Sequence, residues 1–138
     1  MKTRSLRVAL LAIVAAVALT ACSSETQAPA SAPEFDGAHV DAAVFVAATE
    51  VDGVTVIDVR SPEEFAQGHI PGAININVEG ADFAAQVATL DPDADYAVYC
   101  RSGNRSRVAI DFMTQVGVTS TVGLEGGIGA WTGDVVTD

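Results

Sequence analysis

Basic residues are scarce in this chain: 7 Lys and Arg stand against 18 Asp and Glu, for a formal charge of -11 over 138 residues. Three of the seven, Lys2, Arg4 and Arg7, crowd the amino terminus, so the 117 residues from Cys22 onward carry a charge of -14. No basic stripe remains to track a phosphate backbone, which excludes nucleic acid and disfavours anionic membrane surfaces as partners. Cysteine is almost absent, with Cys22 and Cys100 the only two, and histidine is limited to His39 and His69. That set is too thin for a disulfide-stapled fold or a structural zinc site, so neither metal nor cofactor is expected. Internal repeats are lacking, as are the charged blocks of a disordered acidic tail. What is present is enough Val, Ile and Ala for a single core.

The longest apolar run, Val8 to Leu19, is also too short to span a bilayer. Twelve helical residues rise about 18 Å against roughly 30 Å of hydrocarbon. Preceded by Lys2, Arg4 and Arg7, the run reads as a cleaved export signal. Leu19-Thr20-Ala21-Cys22 resembles the bacterial lipobox, and the resemblance implies that residues 1–21 are removed and Cys22 is lipidated. Several acyl chains on one cysteine supply the multiple anchors that stable attachment requires. The expected location is the cell envelope, on the outer face of the plasma membrane or, in a diderm cell, on the outer membrane facing the periplasm. Ser23 differs from the Asp signal of inner-membrane retention. Residues 22–35, small and proline-containing, read as a flexible tether. The folded domain is assigned to residues 36–133, with 134–138 as a peripheral tail.

Within the domain, strand-like and helix-like segments alternate. Asp41 caps a helix over 42–48, and Val54 to Val59, rich in β-branched residues, reads as a central strand. Ser61-Pro62-Glu63-Glu64 opens a short helix that Gly68 ends. A brief strand is expected over 73–76 and a helix over 81–90 with Phe83, Val87 and Leu90 on one face. Tyr96 to Tyr99 reads as a third strand, followed by a helix over 106–115 with Val108, Phe112 and Val116 turned inward, and 118–124 contains a last strand. The alternation predicts an α/β fold: three layers, a mostly parallel central sheet, helices on both faces.

Cys100 stands where the third strand gives way to Arg101-Ser102-Gly103-Asn104-Arg105-Ser106 and then a helix. Sites in parallel sheets form at the carboxyl ends of strands. Successive loop amides and a helix amino end make an anion cradle there, and Gly103 permits the tight curl. A thiolate in such a cradle, beside Arg101 and Arg105, has its pKa lowered from about 8.5 toward roughly 4 to 7.

The spacing resembles two families. Phosphatases of the Cys-x5-Arg type place an arginine where this chain has Ser106, with Arg105 one position early and Arg107 one late, so the loop is a residue too short for them. It is similar instead to the six-residue loop of rhodanese-like sulfurtransferases. The stretch from Asp58 through Arg60, His69 and Pro71 to Ile76 resembles that family's opening signature, and Leu124-Glu125-Gly126-Gly127-Ile128-Gly129-Ala130-Trp131 its closing segment. This resemblance implies the following roles. Cys100 is the nucleophile that becomes a persulfide. Arg101, Ser102, Gly103, Asn104, Arg105 and Ser106 form the anion-binding loop, with Arg101 and Arg105 holding the anionic donor and the loop itself. Asp58 and Arg60 brace the loop from the neighbouring strand, His69 orders a turn, and Gly126 and Gly127 let the closing segment approach the cradle, with Trp131 in the core. The implied reaction moves a sulfane sulfur from thiosulfate or a related donor to a thiophilic acceptor, cyanide in an assay or a protein thiol, in a monomer. Alternatives are a sulfur-relay or persulfide-binding module without thiosulfate activity, a non-catalytic module, and a cysteine phosphatase or arsenate reductase.

Overall fold

The computed structural model describes residues 32–137. The expected export signal over residues 1–21, Cys22 and most of the expected tether over residues 22–35 lie outside those residues. The sheet has five strands, β1 (His39–Val40), β2 (Thr55–Asp58), β3 (Ile74–Asn75), β4 (Tyr96–Tyr99) and β5 (Thr121–Leu124), in spatial order β1-β5-β4-β2-β3. Every pairing in it is parallel. Four α-helices intervene: α1 (Ala42–Thr49), α2 (Pro62–Ala66), α3 (Phe83–Val87) and α4 (Asn104–Gln115). A 3-10 turn over Gly127–Gly129 closes the domain. The parallel sheet covered by helices is the expected architecture.

β4 is the central strand, and all four of its residues are buried. Because side chains alternate across a strand, Tyr96 and Val98 face one layer with Cys100, while Ala97 and Tyr99 face the other. The first layer holds Ile57, Val59, Val87, Ala109, Ile110 and Met113. The second holds Phe45, Ala48, Val56, Val122 and Leu124, with Trp131 packed on it edge-on to Phe45. Burying strands on both faces explains their near-continuous apolar sequence.

The caps behave as read. The Asp41 carboxylate accepts from the amides of Ala43 and Val44, at 2.9 and 3.1 Å. Ser61 and Glu64 form a reciprocal capping box with Pro62 in the first turn. Three expectations need correcting. α3 is shorter than residues 81–90, because the Asp82 side chain makes no capping bond and Thr89 and Leu90 close turns instead. α4 begins at Asn104, two residues early, and its buried face is Ser106, Ala109, Ile110 and Met113. Val108 and Val116 are therefore outward, 61% and 49% exposed, while Phe112 leans half-buried on Phe83. The helix is turned this way because its first buried residue is Ser106, which contacts the Cys100 sulfur, rather than an apolar side chain. The carboxyl-terminal segment is exposed at Val135 and Val136 but pinned: Val136 and His69 exchange two backbone hydrogen bonds of 2.9 Å.

Candidate active site

β4 delivers Cys100 to the carboxyl end of the sheet, 1% exposed, and the chain turns at once into α4. The turn depends on Gly103, whose φ of +96° lies in the left-handed region that favours glycine. This conformation aims the Gly103 amide at the Cys100 sulfur, 3.1 Å away, and the Ser106 hydroxyl lies 3.7 Å from the same atom. Burial opposes ionisation of the thiol, but hydrogen bonds from Ser106, Ser102 and Gly103 outweigh it and bring the Cys100 pKa below its ordinary 9.0. The loop thus favours a thiolate through its own hydrogen-bond donors.

The closing segment clamps this loop. The Ile128 amide donates to the Cys100 carbonyl at 2.8 Å. Gly127, at φ +60°, approaches so closely that a Cβ there would stand 2.4 Å from the Arg101 carbonyl carbon and Cys100 oxygen, and 2.5 Å from the Ser102 nitrogen. No side chain fits.

Behind the loop, Asp58 and Arg60 form a buried pair rather than a surface one, 0% and 6% exposed. Arg60 reaches both Asp58 carboxylate oxygens at 2.5 to 3.0 Å and donates to the Gly68 carbonyl at 2.7 Å. Its guanidinium lies 5.6 Å from the centroid of the Tyr99 ring. The Tyr99 hydroxyl accepts from the Ile70 amide at 3.0 Å, and Asn75 ties the backbone of Asp58 and Arg60 from β3. His69, buried, stacks on Phe65 at 3.7 Å and bonds the Phe65 carbonyl through Nδ1 at 3.0 Å, which places it in the turn after α2.

The mouth beside the loop is a cleft lined by Arg60, Glu64, Gln67, Gly68, Arg101 and Ile128. The two loop arginines differ here. Arg101 is exposed and makes no ion pair among the described residues, whereas Arg105 lays both terminal nitrogens on Glu64 at 2.7 and 2.8 Å. The sequence assigns Arg105 to the donor and the loop, and in this structure its guanidinium is paired with the Glu64 carboxylate. Ser102 and Asn104 are exposed, and Gly126, at φ +76°, opens the closing turn.

The cysteine at the end of β4 thus lies within hydrogen-bond reach of a loop amide and under the closing segment at Gly127. Residues 41–134 match the family model of the rhodanese-like domain. This chain belongs to the rhodanese-like domain family. It is 40% identical over 81 residues to the thiosulfate sulfurtransferase GlpE of Pseudomonas aeruginosa, covering 58% of this chain and 71% of that one. The protein of the same name from Shewanella oneidensis is 32% identical over 93 residues, 67% of this chain and 90% of that one. Among solved structures, a rhodanese-related protein of Thermoplasma volcanium superposes with a TM-score of 0.63 at 35% identity, over 72% of this chain and 98% of that one.

Within this rhodanese-like domain, two residues near the loop escaped the sequence reading. Glu64 registers in sequence only as a helix-start acid, since nothing local announces a partner 41 positions away. His39 lies in a two-residue strand too short to show periodicity, yet its Nε2 is 2.8 Å from the Ser106 hydroxyl.

Proposed function

We propose that this rhodanese-like domain is a sulfurtransferase that carries sulfane sulfur on Cys100. The observation that carries the reading is the buried Cys100 sulfur with the Gly103 amide 3.1 Å away and a lowered pKa. A preorganised donor at the sulfur stabilises negative charge before and after transfer. In the first half-reaction the Cys100 thiolate attacks the outer sulfur of thiosulfate. A Cys100 S–S bond forms, the bond between the outer and central sulfurs breaks, and sulfite leaves with that electron pair. In the second, cyanide or an acceptor thiolate attacks the terminal sulfur and Cys100 departs as thiolate. Similarity to proteins named thiosulfate sulfurtransferase supports thiosulfate as donor. Arg101 is the cation we assign to meeting it at the mouth.

The test is thiocyanate formation from cyanide with thiosulfate, and separately with a low-molecular-weight persulfide. Turnover with both, lost in Cys100→Ser, supports the full reading. Turnover with the persulfide alone restricts the domain to sulfur relay, and turnover with neither refutes it.

We also read the chain as a lipoprotein held at the cell envelope through Cys22, on the charged start, apolar run and Leu19-Thr20-Ala21-Cys22 of the sequence. Metabolic labelling with a fatty acid tests this: label on the wild-type chain and none on Cys22→Ser supports it, and an unlabelled wild type contradicts it.

A further inference from the structure

The Ser106 hydroxyl has three neighbours and one hydrogen to give. It lies 3.7 Å from the Cys100 sulfur, 3.0 Å from the Gly103 carbonyl and 2.8 Å from His39 Nε2. Ser106 is fully buried, so the direction of that hydrogen is set by these groups and not by bulk water. His39 itself is seated by the fold. Its ring lies on Gly123 of β5, where a Cβ would stand 2.4 to 2.5 Å from three ring atoms, so only glycine leaves room for the imidazole.

His39 also opens onto a different surface. It lines a cleft with Gly37, Arg107, Ile110, Asp111 and Glu125, and this cleft shares no lining residue with the mouth beside Arg101. The other ring nitrogen, Nδ1, has no protein partner among the described residues. The charged groups facing the ring are Arg107 and Asp111 from α4 and Glu125 after β5, with Arg107 and Glu125 paired to each other. Burial, then Arg107, lowers the His39 pKa, while Glu125 and Asp111 oppose this, so the ring is neutral at pH 7 and one of its nitrogens keeps a lone pair.

We propose that His39 is a positioning residue for the Cys100 thiolate: through Ser106 it passes the thiol proton to the far cleft and then holds the Ser106 hydroxyl as a donor to the sulfur. The step balances. The Cys100 S–H bond breaks, its electron pair stays on sulfur, and its proton goes to Ser106 Oγ as the serine's own proton moves to His39 Nε2. The imidazolium releases its Nδ1 proton to water in the cleft. What remains is the Nε2 tautomer donating to Ser106, whose hydroxyl now points at the thiolate. The proton thus leaves on the side away from the mouth, which a bound donor would cover.

This proposal rests on Cys100 as the reacting thiol. Alkylation tests it without any sulfur donor, so its failure and a failure of sulfur transfer are distinguishable. The rate of iodoacetamide addition to Cys100 is followed against pH in the full chain by peptide mass, for wild type, His39→Phe, His39→Gln, Ser106→Ala and the Phe/Ala double variant. Phenylalanine keeps the ring and removes the N–H, whereas glutamine keeps an N–H donor and removes the ring. His39→Phe is expected to slow alkylation below the thiol pKa by about three- to tenfold, the net worth of one ordinary hydrogen bond. His39→Gln stays within about twofold of wild type. Ser106→Ala, which leaves the His39 ring in its seat, is as slow as His39→Phe, and the double variant is no slower than either. Wild-type rates in His39→Phe, equal losses in the Phe and Gln variants, or multiplying losses in the double variant would each overturn the proposal.

Discussion

Glu64 receives both terminal nitrogens of Arg105, at 2.7 and 2.8 Å, from a helix 41 positions earlier in the chain. The pair ties α2 to the start of α4 and so holds one wall of the mouth to the sulfur loop. It also occupies the cation that the sequence assigns to the substrate. The hydrogen bond from Arg105, against the cost of burial, brings the Glu64 pKa from 4.5 to about 2. A carboxylate with a lowered folded-state pKa adds stability above its unfolded value, and that stability disappears as pH falls from 4.5 toward about 2. Glu64→Gln is therefore expected to cost roughly 0.5 to 1 kcal/mol at pH 7, a modest figure because the pair is part-exposed. The difference from wild type should shrink to nothing near the acid end, as read by urea unfolding across pH.

Arg101 is the mouth cation without an ion pair among the described residues, and it is exposed. Its contribution should fall on binding of the donor rather than on the chemical step. Arg101→Gln is expected to raise the KM for thiosulfate by about three- to tenfold with kcat nearly unchanged and thermal stability unaltered. Steady-state kinetics at two ionic strengths check this, the wild-type advantage weakening at higher salt.

Asp58 and Arg60 present the opposite case, because both are buried. Removing one partner leaves the other charge without compensation in the interior. Asp58→Ala should destabilise the domain by about 3 to 5 kcal/mol, while replacing both by apolar side chains of similar volume should cost much less. Thermal melts of the single and double variants measure the contrast.

Gly127 tests the clamp on the loop. A methyl group there meets the backbone of Cys100, Arg101 and Ser102 at 2.4 to 2.5 Å, with φ at +60°. Backbone does not move aside as a flexible side chain would. Gly127→Ala is expected to cost about 1 to 3 kcal/mol of stability and to shift the amides off the sulfur. The second effect is visible as a rise in the Cys100 pKa by alkylation.

Local rules made much of this molecule legible in its sequence. The Asp41 and Ser61-Pro62 caps need only neighbours in the chain, and the buried strands Thr55–Asp58 and Tyr96–Tyr99 declare themselves by β-branched and apolar runs. The cysteine loop is likewise continuous in sequence, and its likeness to one family carried the rest. What escaped was set by tertiary contact. The face of α4 is fixed by Ser106 beneath the sulfur, so apolar spacing alone pointed to Val108 and Val116, which are outside. β1 is only two residues long and exists because β5 offers an edge to pair with. The partners Glu64–Arg105 and His39–Ser106, 41 and 67 positions apart, are brought together by the fold, with no local sign of either.

The central claim is that Cys100 carries sulfur. Intact mass of the full chain, taken before thiosulfate, after it, and again after cyanide, tests this directly, with Cys100→Ser alongside. The account predicts a gain of one sulfur atom that cyanide removes and that the variant never shows. An unchanged wild-type mass after thiosulfate and after a persulfide donor, or an equal gain in Cys100→Ser, would contradict it.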